Sequence, residues 1–155
     1  MTFTELGLKP ELVEAIDKLG FQEATPIQEE AIPFVLQNPQ RDLIALAQTG
    51  TGKTAAFSLP IINQIDIDNK EVQMLILCPT RELCMQISRD LESYTTSMRS
   101  LKTIAVYGGT SVSKQKKQLK KGTHIVVGTP GRTLDLIKQR ALDVRNIKWL
   151  VLDEA

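Results

Sequence analysis

The run Ala47-Gln48-Thr49-Gly50-Thr51-Gly52-Lys53-Thr54 sets two glycines, a lysine and a hydroxyl behind an apolar stretch. Glycine lets successive backbone N–H groups turn inward and approach an anion closely. A helix starting at Lys53 adds the partial positive charge of its N-terminus. Lys53 can reach the outer phosphates of a nucleotide, and the Thr54 hydroxyl can hold Mg²⁺. The chemistry is the binding of a nucleoside triphosphate. The phosphate-loop signature has glycine where this chain has Ala47, and a small residue still fits there. A glycine-rich turn with a surface lysine is the plain alternative, and the strand-loop-helix setting argues against it.

A pair of carboxylates supplies complementary chemistry. The apolar run Trp149-Leu150-Val151-Leu152 leads straight into Asp153-Glu154. Two acids at the carboxyl end of a buried strand are costly unless they are used. In phosphate-loop enzymes the first carboxylate, here Asp153, holds the Mg²⁺ shell. The second, Glu154, can polarise an attacking water. A solvated acidic turn explains the pair alone but not its company. Lys53, Asp153 and Glu154 are the candidate catalytic residues, with Thr54 and Asp153 as candidate metal ligands.

A third segment, Gly20-Phe21-Gln22-Glu23-Ala24-Thr25-Pro26-Ile27-Gln28, permits two compatible readings. Thr25 as N-cap, Pro26 at N1 and Gln28 at N3 make a capping box at a helix start. Alternatively, Phe21 stacks on a base while Gln28 reads its edge. The glutamine amide offers a donor and an acceptor together, as adenine N6 and N7 require.

Something must position these groups. The chain has 155 residues, enough for one domain with a core, and its 42% apolar and 24% charged residues are ordinary for a globular protein. No apolar run approaches the roughly 20 residues that span a bilayer. The N-terminus lacks the basic start and apolar stretch of a signal peptide, so a cytoplasmic location is expected. A net charge of +1 does not announce a nucleic-acid binder, so any such surface must be local. Cys78 and Cys84 fit neither a zinc pattern nor a disulfide framework and read as reduced core thiols.

The pattern along the chain alternates helices with short apolar runs. A helix over Glu11–Leu19 starts at Pro10 and stops at Gly20, and a second starts at Thr25-Pro26. Five strand-like runs follow: Asp42–Ala47, Gln73–Cys78, Thr103–Tyr107, His124–Gly128 and Lys148–Leu152. They are apolar throughout, as strands buried on both faces of a parallel sheet are. Helical stretches at Lys53–Ile65, Arg81–Tyr94, Val112–Lys120 and Arg132–Gln139 separate most of them. The alternation predicts a doubly wound α/β fold with ligands beyond the carboxyl ends of the strands.

Taken together and in order, these motifs resemble the first RecA-like domain of the DEAD-box RNA helicases. The match covers nearly the whole chain. It comprises the isolated aromatic Phe3, the Q motif from Gly20-Phe21 to Gln28, and motif I at Ala47–Thr54. It continues with motif Ia at Pro79-Thr80-Arg81-Glu82-Leu83, Gly108-Gly109, motif Ib at Thr129-Pro130-Gly131-Arg132, and most of motif II at Asp153-Glu154-Ala155. The resemblance implies a RecA-like P-loop NTPase domain, with a mostly parallel sheet and helices on both faces. It implies ATP and Mg²⁺ as cofactors, with Gln28 on the adenine, Phe21 stacked on it, and Ala47 normal at its position. It also implies RNA as partner, bound through its sugar–phosphate backbone by Pro79, Thr80, Arg81, Gly108, Gly109, Thr129, Pro130, Gly131 and Arg132. Thr80 and Thr129 precede helices whose free N–H groups suit phosphate, and the arginines add charge and a planar fork. Backbone contacts carry little sequence preference. The plain alternative is helix capping by the threonines, with the arginines in surface ion pairs.

The family pattern runs on past Ala155: the last acid of motif II, a Ser-Ala-Thr motif and a second RecA-like domain. The chain is therefore expected to be a piece of a longer one, a first domain without its C-terminal part. In RecA-like sheets the Ser-Ala-Thr strand lies between the phosphate-loop strand and the motif II strand, so two unpaired strand edges are expected. The isolated chain is expected to be a monomer that binds nucleotide without helicase activity. The longer protein is expected to be an ATP-dependent enzyme that locally unwinds or remodels RNA duplexes. An ATP-gated RNA clamp or assembly scaffold is the alternative, and a small-molecule kinase fits motifs Ia and Ib poorly. The lysine-rich run Lys114–Lys121 matches no family motif and reads as a solvated helix face, with RNA steering as the alternative. His124 reads as structural.

Overall fold

Four of the five apolar runs pair into one sheet. β1 (Met74–Leu77), β2 (Thr103–Val106), β3 (Ile125–Gly128) and β4 (Trp149–Leu152) lie in the order β2-β3-β1-β4. The computed structural model describes residues 1–48 and 50–154. Every pairing is parallel: Leu75 stands opposite Val126 on one side and Leu150 on the other, and Val126 opposite Ile104. β3 is wholly buried and β1 nearly so, which suits their uninterrupted apolar character.

Three helices connect the strands. α4 (Arg81–Tyr94) links β1 to β2, α5 (Val112–Lys120) links β2 to β3, and α6 (Pro130–Lys138) links β3 to β4. The first link moves one way across the sheet and the next two move back. Right-handed crossovers then put α4 on one face and α5 with α6 on the other. Packing agrees: Val112 and Leu119 of α5 and Leu136 and Ile137 of α6 join Leu75, Ile104, Val106 and Val126 in one apolar cluster. From α4, the Cys84 thiol donates to the Val127 carbonyl at 3.0 Å. The arrangement is the doubly wound α/β fold that the alternation predicts.

The sheet belongs to one of two compact units, formed by Asp66–Glu92 with Arg99–Ala155. Buried His124 stitches that unit together: Nδ1 accepts the Lys102 N–H at 3.0 Å, so Nε2 carries the proton and donates to the Ile67 carbonyl at 2.8 Å. The other unit, Met1–Ile65 with Ser93–Met98, holds α1 (Pro10–Lys18), α2 (Pro26–Gln37) and α3 (Lys53–Ile62). Leu12, Ile16, Ile32, Leu59 and Ile62 are fully buried, as is Phe3 nearly. The Asn63 side chain at the end of α3 accepts the Lys9 N–H at 2.7 Å, where α1 begins.

The fifth run is a correction. The sequence predicts a strand at Asp42–Ala47, and the structure forms none there. Leu43, Ile44 and Leu46 are 42%, 89% and 93% exposed. An apolar run becomes a strand only when a neighbour accepts its ladder, and no described residue pairs with this one. At the sheet's own margin, β4 pairs only with β1 among the described residues, leaving Leu150 and Leu152 60% and 58% exposed. The expectation of burial on both faces therefore fails at β4 as well.

Among the described residues, two that are not glycine, Arg140 and Glu154, have positive φ, of 58° and 55°. Arg140 follows α6, where a left-handed residue ends the helix and its N–H bonds the Ile137 carbonyl at 3.0 Å. Arg140→Gly should raise the unfolding free energy by about 0.5–1 kcal/mol, read from urea melts. An unchanged or lower value would rule out strain at this cap.

Candidate functional site

In the helical unit, the phosphate loop and the Q motif are joined by one side chain. Gln28 is 4% exposed on the first turn of α2. Its Oε1 accepts the Thr25 N–H at 2.9 Å, and its Nε2 donates to the Gly52 carbonyl at 3.1 Å. The Thr25 hydroxyl faces the Gln28 backbone in the other half of the capping box and is buried. The amide uses two of its four hydrogen-bonding positions here and keeps one donor and one acceptor. Gln28 is thus both a backbone tie and a group able to meet a base edge. Phe21 stands 41% exposed, open to a stacking partner.

Two glycines set the path of the loop. Gly50 and Gly52 have φ of 82° and 81°, in the left-handed region where side chains are disfavoured. A Cβ on Gly52 would strike Gln28 Nε2 and lie 3.1 Å from Thr25 Oγ1, so glycine is required for the approach. A Cβ on Gly50 would meet nothing within 4 Å, which leaves open space over the loop. Thr51 Oγ1 donates to the Gln48 carbonyl at 2.6 Å and closes the turn. Ala47 is half-buried, Lys53 is the first residue of α3, and Thr54 follows it. Thr49 lies outside the described residues. Left-handed glycines and a lysine at a helix N-terminus fit the triphosphate of a nucleotide.

In the sheet unit, the candidate RNA residues follow three adjacent strands. Pro79-Thr80-Arg81 follows β1, Thr129-Pro130-Gly131-Arg132 follows β3, and Gly108-Gly109 follows β2. Because α4 and α6 leave on opposite faces, the gap between the ends of β1 and β3 is a topological switch point, where such folds bind ligands. Thr80 Oγ1 accepts the Leu83 N–H at 3.2 Å and caps α4. Thr129 precedes α6 without a side-chain cap. The expected alternative of surface ion pairs does not describe the arginines. Arg81 lies over the Tyr107 ring, 5.0 Å from its centroid. Arg132 Nη1 donates to Gln115 Oε1 at 2.9 Å and to the Thr110 carbonyl at 3.3 Å. Neither bonds a carboxylate among the described residues.

Sequence reasoning missed Gln115 and Tyr107. Gln115 is 5% exposed, and its Nε2 donates to the Tyr107 carbonyl at 3.2 Å and Thr110 Oγ1 at 2.9 Å. One amide therefore fixes the Gly108-Gly109 loop and Arg132 together. The available signal was its phase: Val112, Gln115 and Leu119 share one helix face, and a lone polar residue there needs partners.

The β4 end places Asp153 and Glu154 differently. Asp153 is 8% exposed and its N–H donates to the Leu77 carbonyl at 2.9 Å, whereas Glu154 is exposed. Among the described residues no three His, Cys, Asp or Glu side chains gather as a metal cluster. Ala155 lies outside the described residues.

A parallel doubly wound sheet with a phosphate loop in the chain defines a RecA-like α/β domain. The sequence pattern of the DEAD/DEAH box helicases matches residues 25–155, and the chain belongs to that family. It is 51% identical over 155 residues to the DEAD-box ATP-dependent RNA helicase CshA of Streptococcus pneumoniae, covering 100% of this chain and 29% of that protein. It is 47% identical to the ATP-dependent RNA helicase DeaD of Klebsiella pneumoniae, covering 99% of this chain and 24% of that one. The crystal structure of a DEAD box protein from the hyperthermophile Methanococcus jannaschii superposes with a TM-score of 0.91 at 40% identity, over 98% of this chain and 41% of that one. S. cerevisiae Dbp5 bound to RNA and ADP BeF3 superposes with a TM-score of 0.88 at 35% identity, over 99% of this chain and 38% of that one. The chain thus spans less than a third of the curated relatives' length.

Cys78, just past β1, and Cys84, on α4, are both buried. The neighbouring Cys84 first, then burial and the nearby Asp153 and Glu154 charges, push the Cys78 thiol well above its usual range. A raised pKa keeps the thiol protonated through neutral and mildly alkaline pH, and the thiolate is the reactive form. Iodoacetamide at pH 8 should label Cys78 only after denaturant is added. Rapid labelling of the native protein, read by mass spectrometry, would contradict this burial.

Proposed function

We propose that this chain is the ATP-binding and RNA-backbone-binding domain of an ATP-dependent RNA helicase that locally unwinds or remodels RNA duplexes. One observation carries the reading: buried Gln28 bonds the Q-motif backbone at Thr25 and the phosphate-loop backbone at Gly52 with the two ends of one amide. Recognition of a base at Gln28 and grip on phosphates by Gly50, Gly52 and Lys53 are then mechanically one event. The exposed Phe21 ring supplies stacking. The names of CshA and DeaD support ATP and RNA, and the Dbp5 complex supports RNA and a nucleotide together.

Thr54 and Asp153 would hold Mg²⁺, which when bound neutralises charge between the outer phosphates. Glu154, exposed at the strand end, orients and deprotonates the attacking water. Thr80, Thr129 and the free N–H groups of the first turns of α4 and α6 receive RNA phosphates, with Arg81 and Arg132 adjoining them. Such contacts read backbone rather than base. We further propose a cytoplasmic, monomeric protein in which a second RecA-like domain completes the site. An arginine donated across a closing cleft is worth about 10³–10⁵ in phosphoryl transfer.

The test is RNA-stimulated ATP hydrolysis and duplex unwinding by the full-length protein. Glu154→Gln should lower turnover by about 10²–10⁴ while nucleotide still binds. Lys53→Ala and Gln28→Ala should weaken nucleotide binding itself. The 155-residue chain alone should bind an ATP analogue with negligible turnover. Wild-type rates in both Lys53→Ala and Glu154→Gln, or turnover by the short chain that RNA stimulates, would sink the proposal.

A further inference from the structure

The near-zero net charge of the chain conceals a strong separation. From Arg99 to Leu134 there are eight Lys or Arg and not one Asp or Glu. Five of the eight fall between Lys114 and Lys121, on α5 and its C-cap. Val112, Gln115 and Leu119 face inward, so the helical repeat puts Lys114, Lys117 and Lys121 on the opposite face, and all three are exposed. Among the described residues none of the three has an ion-pair partner.

This face is arranged against its own stability. Lys114 with Lys117, and Lys117 with Lys121, are like charges at helical neighbour spacing, and no acid on α5 offsets them. The helix dipole favours cations in the last turn, which suits Lys117 and Lys120. It opposes Lys114, the third residue of the first turn. A solvated helix face explains the distal lysines and leaves Lys114 unexplained.

The topology places the start of this face beside the candidate RNA loops. The three candidate RNA loops follow β1, β3 and β2, which are consecutive neighbours in the sheet. Parallel strands stand about 4.8 Å apart, so the loops form a short row along one edge of the sheet. A strand laid across that row leaves it over β2, the marginal strand, and there the chain passes from Gly108-Gly109-Thr110 into α5. The join is rigid, because Gln115 bonds Tyr107, Thr110 and Arg132 from the first turn of α5.

We propose that the Lys114–Lys117–Lys121 face of α5 binds the phosphodiester backbone of RNA running out past the Gly108–Thr110 loop. The proposal rests on the RNA-binding reading above. Lys114 to Lys121 span about 10 Å of helix axis, enough to face two to three phosphates of one strand. The contacts are charge alone, so they extend grip and steer association without adding sequence preference.

The test uses the full-length protein with a non-hydrolysable ATP analogue. Fluorescence anisotropy follows two single-stranded RNAs, a short one that covers only the three loops and one extended at both ends. Combined Lys114→Gln, Lys117→Gln and Lys121→Gln should weaken the extended RNA roughly tenfold at low salt and flatten its salt slope by about two, at about 0.7 for each phosphate no longer neutralised. Binding of the short RNA should not change, and the melting temperature should hold or rise as repulsion is relieved. Arg132→Ala should weaken both RNAs. If the triple variant matches wild type on the extended RNA, or weakens both RNAs equally, the proposal is overturned, and in the first case an acidic protein surface becomes the occupant. If wild type binds neither RNA, the underlying RNA reading falls with it.

Discussion

Parallel pairing is the constraint on which the sheet unit depends. Because β1, β3 and β2 all run the same way, each delivers its following loop to the same edge. Antiparallel order would send alternate loops to opposite ends, and Arg81, Arg132 and Gly109 would never share a surface. Parallel order also demands long crossovers, which the three helices supply, and burial of both sheet faces, which β1 and β3 achieve. The reversal in connection order then opens the gap between β1 and β3 where the helix starts of α4 and α6 stand. Fold and candidate interface have one cause.

Within that frame, buried amides and one imidazole do the local fixing. Gln73 is 1% exposed and its Oε1 accepts the Asp66 N–H at 2.9 Å, while its Nε2 donates to the Asp66 and Asn69 carbonyls, each at 2.8 Å. Gln28 does the same between Thr25 and Gly52, Gln115 between the Tyr107–Thr110 loop and Arg132, and His124 between Lys102 and Ile67. A neutral amide carries donor and acceptor together, so it can satisfy irregular backbone on both sides without burying a charge. Each of these loops needs such a group because its backbone lies outside any ladder or helix. Replacing an amide by an apolar isostere would strand the backbone groups it serves.

Much of this was legible in the residues. Glycine, proline and uninterrupted apolar runs fixed helix starts and four strands to within a residue or two, because those signals are local. The Asp42–Ala47 run carried the same signal and formed no strand, since a ladder is a property of two segments and the residues of one segment do not hold it. Gln115 was hidden for a related reason. Its phase with Val112 and Leu119 places it inward, but its partners Thr110 and Arg132 are brought to it only by the fold. Arg140 and Glu154 were equally silent, for neither residue type advertises a positive φ.

The two acids at the end of β4 show how a strand terminus can divide adjacent carboxylates. The Asp153 N–H makes the last ladder bond to Leu77, which holds this residue in the strand direction and keeps its side chain buried. One residue later the chain turns to a φ of 55°, and the Glu154 side chain emerges into solvent. A left-handed non-glycine residue costs about 1–2 kcal/mol, so the turn opposes folding at this point. Continued extension would avoid that cost and point the two carboxylates to opposite faces of the sheet. The left-handed turn instead breaks the alternation, so the second acid is aimed by the turn and not by the pleat.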